Sequence, residues 1–124
     1  MTTLQQVEQF HRAFNIPVKD APDLSDDDVL GLRLKLLQEE LDELTLALAE
    51  NDKTAALDAL TDLQYVLDGT YLSLGFGKVK DAAFAEVHRS NMSKLGADGK
   101  PIRRKDGKIL KSLQYSPPNL EPFV

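Results

Sequence analysis

The sequence predicts an all-α protein, a four-helix bundle followed by a basic β-hairpin and an extended tail. Apolar residues recur at the three- and four-residue spacing of helices up to Ser93, and capping or breaking residues divide that pattern into four segments. The length of 124 residues suits one compact unit, so we expect a single domain over residues 1–124.

The first two helices are predicted from their caps and from proline. A short helix follows the capping residues Thr2 and Thr3, and its apolar pattern stops before Pro17. Ser25, followed by three aspartates, is predicted to cap a second helix over residues 26–50, because acidic residues stabilise a helix N-terminus. The apolar positions of the first helix are Leu4, Val7, Phe10 and Phe14.

The remaining elements follow from the next breaks in the pattern. The Asn51-Asp52 pair interrupts the apolar spacing and supplies a new cap, so a third helix is predicted over residues 53–74. It should form a tight helical hairpin with the second helix. A fourth helix is predicted over residues 79–93. The Asp106-Gly107 pair between apolar residues is typical of a β-hairpin turn, and a Pro-Pro pair predicts an extended tail.

Charge is unevenly distributed along the chain, whose net charge is −5. Residues 1–93 carry 17 of the 20 acidic side chains, whereas residues 94–112 carry 7 of the 15 basic ones. An acidic body with a short basic segment disfavours binding of a nucleic acid polymer and suits a small anionic ligand held by cations. It is an equally open alternative that the basic segment is an ordinary solvated hairpin that binds no ligand.

The composition also limits the chemistry. The chain has no cysteine, which excludes disulfides, thiolate catalysis and zinc ribbons, and His11 and His88 are expected on the surface. A metal ion would therefore be held by oxygen atoms. The N-terminal residues do not resemble a signal peptide, and the longest uncharged stretch is too short to cross a bilayer. We expect a cytoplasmic protein without a membrane partner, in the host cytoplasm if the chain is phage-encoded.

Carboxylates interrupt one of the two apolar stripes of the second helix. Glu39 and Glu43 occupy the middle of that stripe, and Glu40 lies about one quarter-turn to the side. Burying unpaired carboxylates is costly, and no lysine or arginine follows on this helix to compensate their charge. The pattern therefore favours a bound metal ion.

The third helix carries a second acidic pair, opposite its apolar face. Asp58 and Asp62 are four residues apart and share one side of the helix. In an antiparallel hairpin the two acidic groups can converge, and Mg²⁺ or Mn²⁺ takes oxygen ligands of this kind. The alternative is that all five acids belong to solvated helix faces.

The predicted fourth helix ends in an amide and an ammonium group. Asn91 and Lys94 continue the spacing of the face that would pack against the bundle, a position that suits a phosphate or sugar contact. Such residues more often cap a helix C-terminus and complement its dipole.

These motifs resemble those of a known family. The segment Glu39–Glu43 has the form EExxE, and Asp62 with its neighbours follows about twenty residues later, as in the MazG-like all-α nucleoside triphosphate pyrophosphohydrolase superfamily. The run Glu86–Lys94 and the basic segment after it are similar to the branch related to phosphoribosyl-ATP pyrophosphohydrolase. The resemblance covers residues 32–118.

The chain departs from the superfamily pattern at one position. The second acidic motif is usually ExxD, and Asp62 matches its aspartate, whereas Ala59 stands where the glutamate is expected. Asp58 lies one residue earlier on the same helix face as Asp62. It is therefore predicted to supply the missing carboxylate.

The resemblance implies hydrolysis of a nucleoside or deoxynucleoside triphosphate, such as dGTP or dUTP, to the monophosphate and pyrophosphate with Mg²⁺ or Mn²⁺. It also implies a homodimer or homotetramer. Glu40 is predicted to orient or deprotonate the attacking water. The implied metal ligands are Glu39, Glu40, Glu43, Asp58 and Asp62. The implied substrate-binding residues are Asn91, Lys94, Arg103, Arg104 and Lys108.

Two other functions stay open from the sequence. One is a phosphoribosyl-ATP pyrophosphohydrolase, and the other is a non-catalytic helical oligomerisation module whose acids bind structural cations. Apolar stripes on both sides of the second helix predict at least a dimer in either case. Several bases would be accepted by the stacking aromatics Phe10, Phe14, Tyr65 and Tyr71.

Overall fold

A computed structural model describes the whole chain, Met1–Val124, with four α-helices and one two-stranded antiparallel sheet. The predicted all-α class is confirmed. None of the helices combines the length and the apolar character needed to cross a membrane. The elements are α1 (Thr3–Ala13), α2 (Asp27–Ala49), α3 (Lys53–Ser73), α4 (Lys80–Met92), β1 (Ile102–Arg103) and β2 (Ile109–Leu110).

The chain forms two compact units, Met1–Lys78 and Val79–Val124. The single domain over residues 1–124 therefore stays a prediction. In the first unit, α2 and α3 are joined by a short turn and pack along each other as the predicted antiparallel hairpin, and α1 packs against α3. The buried apolar residues of this unit are Val7, Ala47, Ala59 and Leu72.

The predicted cap of α2 is wrong by one residue. The Asp26 carboxylate accepts hydrogen bonds from the backbone N–H groups of Asp28 and Val29, so Asp26 and not Ser25 is the N-cap. Ser25 is engaged elsewhere, because its backbone N–H and its hydroxyl both donate to Asp23, at 2.9 and 2.6 Å. The nearby aspartate at position 23 thus competes for the serine that the sequence pattern assigned to the helix.

The turn between α2 and α3 confirms the predicted break. Asn51 has a left-handed backbone with φ of 53°, a conformation that asparagine tolerates better than most residues. Asp52 then donates its backbone N–H to the carbonyl of Ala47, which closes α2, and its carboxylate accepts from the N–H of Ala55 at 3.0 Å. This turn fixes where α3 starts relative to α2.

The second unit begins with α4 and contains the predicted hairpin. α4 starts one residue later than expected, because Gly77–Val79 forms a 3₁₀ turn. In the hairpin, Ile102 pairs with Leu110 and Arg103 pairs with Ile109, and the turn contains Gly107 at φ 89°. A positive φ of this size is readily adopted by glycine, which explains its place in the turn.

The predicted extended tail lies along α4 and is held by polar contacts. Ser116 donates its backbone N–H to the Ser93 hydroxyl at 2.8 Å, and the Arg89 guanidinium donates to the Pro117 carbonyl. The chain then differs from the prediction, because Glu121–Phe123 forms a 3₁₀ turn at its end.

The expectation that His11 lies on the surface is wrong. His11 is only 2% exposed, and its Nδ1 donates to the carbonyl oxygen of Pro17 at 3.2 Å. Ser73 Oγ donates to the same oxygen at 2.8 Å. The loop after α1 folds back over the end of α3, so a position that was expected to be exposed becomes enclosed. Burial is the main reason that the pKa of His11 lies below 6.5, and the positive charge of Arg33 adds to it.

His11 should make the free energy of unfolding fall as pH drops below 6.5. Below pH 6.5 the His11 side chain binds a proton in the unfolded chain but not in the folded chain. The contribution of His11 to the free energy of unfolding is therefore fully present above pH 6.5 and is lost as the pH falls towards the lower, folded-state pKa. The slope is at most about 1.4 kcal/mol per pH unit. Urea unfolding at pH 7.5 and 5.5 of wild type, His11→Gln and the exposed-site control His88→Gln measures it. Equal pH dependence in wild type and His11→Gln would refute this assignment.

Candidate metal centre

The α2–α3 hairpin brings three predicted carboxylates together. Glu40 and Glu43 lie three residues apart on α2, and Asp62 approaches them from the middle of α3. One carboxylate oxygen from each residue lies within 4.8 Å of the other two. Because the helices run antiparallel, the mid-point of α2 faces the mid-point of α3, and three negative charges share a space that one cation can fill.

The electrostatics of this group favour the binding of a cation. Loss of hydration raises the pKa of the Glu40 carboxyl, and the negative charges of Glu43 and Asp62 raise it further. The pKa of Asp62 is also raised, first by loss of hydration and then by the charges of Asp58 and Glu43. The charged forms of Glu40 and Asp62 are thus destabilised by burial and by the neighbouring acidic side chains.

One oxygen atom of this group has no hydrogen-bond partner. Glu40 Oε2 is buried, and nothing in the protein donates to it. A buried unpartnered carboxylate oxygen is costly, and a hard divalent cation is the kind of ligand that would satisfy it. Three carboxylates with one orphaned oxygen therefore fit a Mg²⁺ or Mn²⁺ ion.

The other two predicted metal ligands lie differently. Glu39 is exposed and is not part of the group of three. Asp58 is also exposed, yet it is close enough for its charge to raise the pKa values of Glu40 and Asp62. Ala59, at the position of the glutamate in ExxD, is buried in the core. A carboxylate at position 59 would thus need to leave that core, whereas one at position 58 is already near the group.

The predicted substrate-binding residues all belong to the second unit. Asn91 is exposed in the last turn of α4, and Lys94 is half-buried just after it. Arg103 is exposed on β1. Arg104 pairs with Asp106, and Lys108 is exposed beside the same turn. Three of these five cations and amides therefore sit on one small hairpin.

An aromatic cluster forms between α1 and α3 in the first unit. The Phe10 ring packs on Phe14 with centroids 4.5 Å apart and meets the edge of Tyr65 at 5.6 Å. Tyr65 is one helical turn beyond Asp62 and also lines a cleft of about 160 Å³ between α1 and α3. The lining of this cleft includes the amides of Gln6 and Gln64.

Sequence reasoning missed two buried charged residues of the first unit, Arg33 on α2 and Asp68 on α3, of which Arg33 bonds α2 to α3. Arg33 is enclosed between the three helices of the first unit and is 5% exposed. The available signal was its position, because Arg33 precedes Glu40 by seven residues and therefore lies on nearly the same face of α2. A cation on the same face of α2 as a buried carboxylate was therefore a candidate functional residue, as the acids were.

Comparison with known proteins identifies the family of this chain. The family model for phosphoribosyl-ATP pyrophosphohydrolase matches residues 7–91, which include α2, α3 and most of α1 and α4 but not the hairpin. A search among curated proteins returned no match. Members of the matched family are pyrophosphohydrolases that act on nucleotide anhydride bonds and generally depend on divalent metal ions. The chain belongs to the phosphoribosyl-ATP pyrophosphohydrolase family, within the MazG-like nucleoside triphosphate pyrophosphohydrolase superfamily.

Proposed function

We propose that this nucleotide pyrophosphohydrolase hydrolyses a nucleoside or deoxynucleoside triphosphate, such as dGTP or dUTP, to the monophosphate and pyrophosphate. The observation that carries the proposal is the group formed by Glu40, Glu43 and Asp62, with its one unpartnered buried oxygen. A site of this kind holds divalent cations, and a triphosphate is a polyanion that binds through them.

The five acidic residues have different roles in this proposal. Glu43 and Asp62 hold the metal, and Glu39 and Asp58 complete its surroundings. Bound Mg²⁺ or Mn²⁺ neutralises phosphate charge and lowers the pKa of a coordinated water. Glu40 contributes to the same ligand set and accepts a proton from the attacking water, because one of its oxygens makes no other bond.

We assign contacts with the phosphates to polar side chains of the second unit. Lysine, arginine and amide groups donate hydrogen bonds to phosphate oxygens, and arginine does so with two parallel bonds. Arg104 would have to exchange its partner Asp106 for the ligand. The assigned residues are Asn91, Lys94, Arg103, Arg104 and Lys108.

The base would stack on the aromatic group of Phe10, Phe14 and Tyr65. Tyr65 supports this placement, because it follows Asp62 by one turn of α3 and so lies within a nucleotide's length of the acidic group. Stacking alone accepts several bases. The proposal therefore includes guanine and uracil nucleotides without choosing between them.

A second candidate substrate is phosphoribosyl-ATP. The matched family model carries that name, and the same acids would serve its diphosphate linkage. Family membership makes the chain an enzyme, which removes the non-catalytic oligomerisation module from consideration.

We also propose that the protein works as a homodimer or homotetramer. Leu34, Leu41 and Leu48 recur every seven residues on one stripe of α2, and their exposures lie between 46% and 68%. Leu32 and Leu46, on the opposite stripe, are more than half exposed as well. Two apolar stripes on one helix are typical of a helix buried between subunits.

Incubation with a panel of nucleotides tests the function directly. With Mg²⁺ or Mn²⁺ we expect pyrophosphate and a monophosphate from at least one nucleoside triphosphate, no orthophosphate, and no turnover in excess chelator. Metal should also raise the melting temperature, because a ligand that binds only the folded state stabilises it. Phosphoribosyl-ATP belongs in the same panel. Full turnover in chelator, or orthophosphate as the product, would remove the proposed chemistry.

A further inference from the structure

Arg33 bridges α2 and α3 from a buried position. Its Nη2 donates to the carbonyl oxygen of Val66 at 2.9 Å, and its Nε donates to Thr70 Oγ1 at 3.2 Å. Thr70 Oγ1 in turn donates to the same Val66 carbonyl at 2.8 Å. One guanidinium of α2 is therefore bonded to two points of α3 that lie one helical turn apart.

The space for this guanidinium depends on a glycine. A Cβ atom at Gly69 would lie 2.6 Å from Arg33 Nη2 and 2.6 Å from His11 Nε2, closer than such atoms approach. Glycine inside a helix costs about 1 kcal/mol relative to alanine. Glycine at position 69 thus lowers the stability of α3, and it leaves room for one side chain from α1 and one from α2.

Stability does not explain this arrangement. The two α3 groups that accept hydrogen bonds from Arg33 are both neutral, and burial lowers the pKa of its guanidinium. Removing a guanidinium from water is expensive, and apolar replacements of buried charged groups are often neutral or stabilising. The contacts of Arg33 are specific in geometry and weak as a source of stability.

The position of the bridge relates it to the acidic group. Val66 follows Asp62 by one turn on α3, and Arg33 precedes Glu40 by two turns on α2. A slip of one residue between the helices moves them by about 1.5 Å, which is a large fraction of the 4.8 Å that spans the three carboxylate oxygens. Two directed hydrogen bonds do not tolerate such a slip.

We propose that Arg33 is a positioning residue that fixes the axial register of α2 against α3, and through it the geometry in which Glu40, Glu43 and Asp62 bind a divalent cation. The inference rests on the metal site of the proposed function. Arg33 touches none of the three acids and acts only through the two helices. Gly69 and His11 help to hold Arg33 in place, since they enclose its guanidinium.

The test measures Mn²⁺ binding by calorimetry in Arg33→Met, a variant that keeps an unbranched side chain and removes the charge and the donors. We expect a metal-free melting temperature equal to or above that of wild type, together with Mn²⁺ affinity reduced about 10- to 100-fold, the usual effect of losing a group that orients metal ligands. Arg12→Met is the matched control, because Arg12 lies on the surface of α1 and pairs only with Glu8. It should bind Mn²⁺ as wild type does.

A milder variant covers the case in which Arg33→Met does not fold. Thr70→Val keeps the shape of the side chain and removes one of the two acceptors, so Mn²⁺ affinity should fall about fivefold, as expected for one hydrogen bond. Wild-type affinity in a folded Arg33→Met or Thr70→Val overturns the positioning role and leaves the proposed function intact. If wild-type protein itself binds no Mn²⁺, the proposed function fails and the inference fails with it.

Discussion

Replacing Glu43 by glutamine should abolish both metal binding and turnover. Glu43 lies in the group of three carboxylates and raises the pKa of Glu40 and Asp62, so its charge is felt by both other members. An amide contributes no negative charge to a divalent cation. Since groups that merely orient metal ligands are worth ~10–100-fold, loss of a ligand should reduce Mn²⁺ affinity by more than about 100-fold. Calorimetry and the pyrophosphate assay measure the two effects.

The same variant should change stability in the opposite sense when metal is absent. Removing one of three mutually repelling charges relieves Glu40 and Asp62, so metal-free Glu43→Gln should melt at or above the temperature of wild type. Asp42→Asn is the matched control, because Asp42 is a neighbour on α2 whose carboxylate instead accepts from Gln38. It should keep activity and metal binding. A Glu43→Gln variant with full turnover would refute the assignment of Glu43 as a ligand.

Much of the fold was predictable because its signals are local. The Asn51-Asp52 break, the helical spacing before it and the hairpin turn at Gly107 each depend on a few adjacent residues, and all three are confirmed. The cap of α2 and the burial of His11 were not predictable in this way. Ser25 loses the cap to Asp26 through its bonds with Asp23, and His11 is enclosed by a loop that folds back onto α3.

The acidic group could be predicted in composition and less well in detail. Helical geometry places Glu39, Glu40 and Glu43 within about one third of a turn of one another, so periodicity cannot decide which two side chains turn towards α3. The structure brings Glu40 and Glu43 to Asp62, and Glu39 stays exposed. Helical spacing places Arg33 near the face of Glu40, but it does not reveal the bridge that Arg33 makes to α3. The partners of Arg33 in this bridge are a backbone carbonyl and a hydroxyl on another helix, and neither leaves a pattern in the sequence.

Replacing Glu40 by glutamine separates the two tasks that this residue is assigned. If its main task is to accept a proton from water, Glu40→Gln should keep metal and nucleotide binding while turnover falls by the ~10²–10⁴-fold typical of a lost general base. The structure favours this outcome through one atom, Glu40 Oε2, which is buried without a partner while the carboxylate as a whole lies beside Glu43 and Asp62. An oxygen left free by the protein is available to a water molecule as well as to a cation.

The decisive experiment for Glu40 measures binding and turnover in the same preparation. Titration of Mn²⁺ and of a non-hydrolysable triphosphate into Glu40→Gln should show that both still bind, with a much smaller loss of Mn²⁺ affinity than in Glu43→Gln. Single-turnover kinetics should then locate the loss of activity in the hydrolytic step. Asp42→Asn is the neighbouring control, since Asp42 is exposed on α2 and its carboxylate accepts from Gln38. If Glu40→Gln abolishes metal binding, the main task of Glu40 is to hold the metal. Another carboxylate must then accept the proton of the attacking water. Asp58 would be the first to examine, because it lies close enough for its charge to raise the pKa values of both Glu40 and Asp62.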